Sequence, residues 1–143
     1  MNLFITGIGT NVGKTVVSAM LTEALQADYW KPVQAGFETG TDALQISSLI
    51  SNTNTIIHPE VYKLQMPASP HIAARKESIH INLHNILNLQ PSTFNHQLVV
   101  EGAGGIMVPL NKNEFVLDLI EQLQAKVILV SRNYLGSINH SLL

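Results

Sequence analysis

Cysteine is missing altogether from the 143 residues. Its absence excludes a disulfide framework, a thiolate metal site and a cysteine nucleophile, and it suits a reducing compartment. Basic residues are scarce too: eight Lys and Arg against ten Asp and Glu give a formal net charge of −2. Proteins that track a nucleic-acid backbone carry a basic patch, so nucleic acid is not an expected partner. No apolar run is long enough to span a bilayer, and the N-terminus lacks the basic segment and apolar stretch of a signal peptide. A cytoplasmic protein without a membrane partner is the expectation. What the chain does have is 45% hydrophobic content, enough for one sizeable core and one domain over residues 1–143, but not for two. It shows no internal repeat, low-complexity tract or linker.

Short β-rich apolar runs alternate with longer amphipathic stretches. Asn2 to Thr6 predicts the first strand. Lys14 to Gln26 predicts a helix that buries Val17, Met20, Leu21, Ala24 and Leu25 at helical spacing. Tyr29 to Val33 predicts a second short strand, broken by Pro32 and the turn at Gly36. Thr41 to Ile50 predicts a helix with Thr41 or Asp42 near its start and Leu44, Leu49 and Ile50 buried. Met66 to Pro70 is a turn-rich loop, and Ser78 to Leu89 is ambiguous between helix and strand, with helix favoured. Gln97 to Glu101 predicts a third strand running into Gly102-Ala103-Gly104-Gly105. Asn113 to Gln124 predicts a helix on Phe115, Leu117, Ile120 and Leu123, and Lys126 to Ser131 a fourth strand. Strands separated by helices imply parallel pairing with right-handed crossovers, so the expected fold class is α/β, a parallel sheet flanked by helices. Gly136 to Leu143 reads as a further helix that ends on two leucines without a cap. With four predicted strands, that ending leads us to expect a C-terminally truncated chain.

The segment GIGTNVGKT, Gly7 to Thr15, joins the first strand to the first helix. A phosphate-binding loop needs glycines so that backbone N–H groups can turn inward, a lysine that reaches the terminal phosphates, and a hydroxyl for magnesium. Gly7, Gly13, Lys14 and Thr15 supply these in the required strand-to-helix context, which makes the fold P-loop NTPase-like. Five residues, where four are usual, separate the two glycines. Two rivals are weaker. A dinucleotide turn wants an acidic residue after the second strand, where this chain has Lys31, and a structural glycine corner leaves Lys14-Thr15 unexplained.

In an open parallel sheet the ligand lies beyond the carboxyl ends of the strands, so residues just after each strand are the next candidates. Lys31 can add a second cation to a phosphate site. Asp42 and Glu101 can complete a magnesium shell with the Thr15 hydroxyl, since magnesium takes a few hard oxygens plus water and phosphate. Taken alone, Asp42 reads more readily as a helix cap and Lys31 as a solvated lysine, whereas Glu101 reads as functional because an unpaired carboxylate there is costly to bury. His80 and His84 have the spacing of a helical metal pair but lack a third ligand and read as a surface pair. Trp30 and Phe115 read as core.

The ordered set Thr6 to Thr15, Lys31-Pro32-Val33-Gln34-Ala35-Gly36, Asp42-Ala43, Ala68-Ser69-Pro70-His71, Val100 to Gly105 and Leu135-Gly136-Ser137-Ile138-Asn139-His140 resembles the dethiobiotin synthetase family, which uses the longer loop spacing. The resemblance covers essentially the whole chain. It implies a ligase of biotin biosynthesis that carboxylates 7,8-diaminononanoate with CO2 or bicarbonate and closes a cyclic urea at the expense of ATP, with Mg2+ as cofactor and a homodimer as assembly. It implies that Asn11, Val12, Gly13, Lys14, Thr15 and Val16 hold the triphosphate, joined at the nucleotide by Asp42, Glu101, Gly102, Ala103 and Gly104. Lys14 and Lys31 would be catalytic, and Thr15, Asp42 and Glu101 would place the metal. Thr10, Ala35, Ser137 and Asn139 would face the substrate, the last two across the dimer, and His71 would lie near it or serve the fold. Ala35 stands where many relatives carry a hydroxyl, and Asn11 where some carry an acid.

Three other functions are weighed. A corrinoid amidoligase would need a glutamine-hydrolysing domain with a cysteine nucleophile. A nucleotide-switched positioning ATPase would carry a second lysine early in the loop, where Gly9 stands. The last is an inactive fragment of the synthetase.

Overall fold

The computed structural model describes residues 2–38, 40–93 and 97–142. Five strands form one parallel sheet: β1 (Asn2–Gly7), β2 (Asp28–Trp30), β4 (Ile57–His58), β6 (Leu98–Gly105) and β7 (Lys126–Val130), in the order β4-β2-β6-β1-β7. A separate parallel pair joins β3 (Val33–Ala35) to β5 (Tyr62–Leu64). The helices are α1 (Lys14–Leu25), α2 (Asp42–Leu49), α3 (Pro70–Lys76), α4 (Leu83–Asn88), α5 (Val116–Gln122) and α6 (Ser137–Leu142).

Strand alternation sorts the core onto the two faces of the sheet. Phe4, Trp30, Leu98 and Val100 pack with residues of α3, α4 and α5 on one face. Ile5, Tyr29 and Val99 pack with Ala19 of α1 and Ile46 of α2 on the other. Glu101 pairs in register with Ile5 and follows Val99 by two residues, so it shares the α1 and α2 face.

Several expectations are corrected. The single strand Tyr29–Val33 is two strands in different sheets, because Pro32 lacks the N–H that a continuing ladder needs. Lys31 therefore sits at a break in the chain, just past β2. Strands β4 and β5 and helix α3 carry little periodicity and are not predicted, so four expected strands become a five-stranded sheet plus a pair. Helix α1 buries Lys14, Ser18, Ala19 and Thr22, while Met20 is 66% exposed and Ala24 and Leu25 also face outward. The loop sets this phase: Lys14 and Thr15 must face the cleft, which turns Ser18, Ala19 and Thr22 one and two turns on toward the sheet. Small side chains there let helix and sheet approach.

Helix α2 buries Ile46, and Leu44 and Leu49 are exposed. Its start is fixed by Thr41, whose Oγ1 accepts from the Leu44 N–H at 3.2 Å. The expected helix over Ser78–Leu89 shrinks to α4, started by the Asn82 side chain, which accepts from the His84 N–H at 2.8 Å. His80 precedes that helix and both histidines are exposed, so they are not a helical pair. In α5 the buried residues are Val116, Leu119 and Ile120, Leu117 is exposed, and Phe115 stands before the helix with its N–H on the Asp118 carboxylate at 2.6 Å. Trp30 is core, and its indole N–H donates to the Pro59 carbonyl. The last expected helix is α6, and Leu143 lies outside the described residues.

Candidate active site

Strands β2, β6 and β1 are neighbours, so their carboxyl ends deliver Lys31, Glu101 and the Gly7–Thr15 loop to one place. The loop ends in Gly13 at φ 102°, a left-handed conformation that glycine takes without strain, and α1 begins at the next residue. Val17 N–H bonds back to the Gly13 carbonyl at 3.0 Å, so the first turn of the helix presents its free amides to the loop. The cleft beyond measures about 820 Å³, a size suited to a small-molecule ligand.

Thr10, Asn11, Gly13, Lys14, Thr15 and Val16 line the cleft from the loop side, Lys31 and Ala35 from the chain after β2, and Asp42 from the start of α2. Glu101, Ala103 and Gly104 close it from β6. Val12 packs against the core beneath the loop, and Gly102 is buried within β6, where an added Cβ would meet the Phe4 ring at 2.7 Å. Ser137 and Asn139 lie on α6 after β7 and do not line the cleft. His71 is half-buried on α3 and also stands outside the lining, although its neighbours Ser69 and Pro70 belong to it.

At the floor of the cleft a polar cluster is tightly connected. The Thr15 hydroxyl lies 3.0 Å from Asp42 Oδ1 and 3.0 Å from Glu101 Oε1. The Lys31 ammonium is paired with Asp42 Oδ2 and lies 3.4 Å from Glu101 Oε1. Lys31 and Glu101 are 6% and 1% exposed, so the carboxylates depend on this cation and on their hydrogen bonds. Lys14 Nζ donates to the Gly9 carbonyl at 2.7 Å. Burial first, and then the Lys31 charge, holds the Lys14 ammonium below the ordinary lysine range, against a smaller opposing pull from Glu101 and Asp42. Two cations, two carboxylates and the Thr15 hydroxyl thus line a single cleft beside a helix N-terminus, an arrangement suited to polyphosphate.

Comparison with known proteins agrees with this architecture. The family model described as AAA domain matches residues 1–143.

The chain belongs to the AAA domain family.

Within reach of this AAA domain are curated relatives named ATP-dependent dethiobiotin synthetase BioD. The protein of Cytophaga hutchinsonii is 57% identical over 98% of this chain, and that of Christiangramia forsetii is 53% identical over 98%. The protein of Agrobacterium fabrum is 43% identical over the whole chain. In each case the chain spans 66% of the relative's length.

Two features of the site escape sequence reading. Tyr29 is fully buried, and its hydroxyl donates to Glu101 Oε2 at 3.0 Å. Burial, and next the Glu101 charge, pushes its phenol well above the ordinary tyrosine range. Its place in β2, two residues before Lys31, is the one hint the sequence offers. Gln34 lines the cleft, and its amide is tied to the Gly36 carbonyl at 2.7 Å; nothing in its spacing marks it out.

Proposed function

We propose that this AAA domain is an ATP-dependent dethiobiotin synthetase that carboxylates 7,8-diaminononanoate and closes its ureido ring. The observation that carries the reading is Lys31: a second cation, from outside the phosphate loop, is set against Asp42 and Glu101 beside Thr15. A plain nucleotide switch needs no such residue. The names of the relatives support the substrate assignment.

The loop amides and Lys14 hold the triphosphate, with Asn11, Val12, Gly13 and Val16 shaping the loop and Gly102, Ala103 and Gly104 the nucleotide wall. One substrate amine attacks CO2 and loses a proton, giving a carbamate. A carbamate oxygen attacks the γ-phosphorus as the bond to ADP breaks, giving a carbamic-phosphoric anhydride. The second amine attacks the carbonyl carbon, phosphate leaves, and the amine proton is lost as the ring closes. Lys14 and Lys31 stabilise the charge that builds on the transferring phosphoryl group. Thr10 and Ala35 face the diamine, and Ser137 and Asn139 on α6 serve its carboxylate across a homodimer.

Mg2+ fits the residues present, because Thr15 Oγ1, Asp42 Oδ1 and Glu101 Oε1 are hard oxygens that converge within hydrogen-bonding distance. Those three would hold it, and when bound it would neutralise phosphate charge. A cytoplasmic location follows from the reaction's demand for ATP. The test is ADP release: it should require both bicarbonate and the diamine. ADP formed equally without the diamine would favour a simple ATPase.

A further inference from the structure

Tyr29 belongs to a buried cluster whose other members, Ile5, Ala19, Ala27, Ile46, Val99 and Val130, are all apolar, and it pairs in register with Val99. A phenylalanine would fill that position equally well, and a buried hydroxyl is unfavourable unless it is bonded. Its one hydrogen bond among the described residues goes to Glu101 Oε2, at 3.0 Å. The other oxygen of that carboxylate, Oε1, faces Thr15 Oγ1 at 3.0 Å and Lys31 Nζ at 3.4 Å. The terminal torsion of a glutamate is broad, so packing alone does not decide how the carboxylate plane is turned. Anchoring one oxygen fixes the plane and so aims the other at Thr15.

We infer that the Tyr29 hydroxyl is a positioning group which locks the Glu101 carboxylate so that Oε1 is presented to the cation site beside Thr15. The inference rests on the reading of Thr15, Asp42 and Glu101 as that site. Tyr29 is fully buried and does not line the cleft. Its action passes through Glu101, as outer partners of metal-ligating carboxylates act, and removing such a partner costs metal affinity about 10-fold or more.

The experiment is Mn2+ binding, followed by electron paramagnetic resonance, to the protein saturated with a non-hydrolysable ATP analogue. Tyr29→Phe should weaken Mn2+ binding about 10-fold. Val99→Ala, which cuts into the same core at the residue paired with Tyr29, should lower the melting temperature and leave Mn2+ affinity within about twofold, as expected where the metal's outer partners are untouched. Tyr29→Phe binding Mn2+ as tightly as the parent, or Val99→Ala weakening it equally, overturns the inference while leaving the metal site standing. A parent protein that binds the analogue without Mn2+ overturns the metal-site reading and this inference with it. A second readout keeps the native side chain. With the three tyrosines replaced by 3-fluorotyrosine, the fluorine resonance of the buried Tyr29 should shift when Mg2+ joins the bound analogue, and an unmoved resonance counts against the role.

Discussion

Replacing Lys31 by methionine tests the floor of the cleft as a charge-balanced unit. Methionine keeps the length and the apolar stem but removes the cation that pairs with Asp42 and approaches Glu101. Glu101, 1% exposed, would keep the hydrogen bonds from Thr15 and Tyr29 but lose its counter-charge. Removing one partner of a buried pair costs roughly 3–5 kcal/mol, since the remaining charge is stranded. The Asp42 side chain is 23% exposed and retains contact with solvent, which places the expected loss at the lower end, about 3 kcal/mol. For a chain of this size that is a fall in melting temperature of about 10 °C. Urea denaturation at neutral pH gives the free energy directly. Lys31→Met combined with Glu101→Gln should lose less than the sum of the single changes, because the two groups interact. Added Mg2+ should restore part of the stability of Lys31→Met, as a second cation for the same oxygens. A loss under about 1 kcal/mol, the range of exposed pairs, would show that the carboxylates do not depend on Lys31.

Lys14→Met should abolish nucleotide binding yet stabilise the fold by about 1 kcal/mol, the pattern of a residue kept for function. The sign follows from burial and Lys31, which disfavour the charged form in the fold; the cost is present at neutral pH and fades as pH rises through the lowered value, so the gain should shrink in alkaline buffer. Denaturation midpoints at pH 7 and pH 10 check it. Glu23 is held down to about 2 by hydrogen bonds from Ser51 and Asn52. Its stabilisation is therefore full above its ordinary value of 4.5 and lost as pH falls toward 2. The stability difference between parent and Glu23→Gln in urea titrations should disappear across that window. Gly36→Ala should cost about 2 kcal/mol by the same measurement, because Gly36 has φ 75° and an added Cβ would stand 2.8 Å from Pro67 Cβ.

The phosphate loop, Lys31 and Glu101 are legible in the sequence because each follows an apolar run, although Glu101 lies inside β6, which continues to Gly105. Asp42 is legible as one of two things, and it is both a first-turn residue of α2 and a cleft residue, with Thr41 taking the cap. The buried faces of α1 and α2 are only partly legible from hydrophobic spacing: Val17, Leu21 and Ile50 pack against the core, but the rotation of α1 is dictated by where Lys14 and Thr15 must point. Strands β4 and β5, of two and three residues, are too short to show a period. The Tyr29 hydroxyl is hidden for a different reason: a buried tyrosine in a strand looks like packing, and its polar function depends on β6 arriving beside β2, a tertiary fact.

The most direct measurement is mass spectrometry after incubating the protein with MgATP, the diamine and bicarbonate labelled with heavy carbon. The account predicts dethiobiotin carrying the label in its ureido carbonyl, formed only with all components and lost in Lys14→Met. Protein that binds and turns over ATP but yields no labelled dethiobiotin would contradict it.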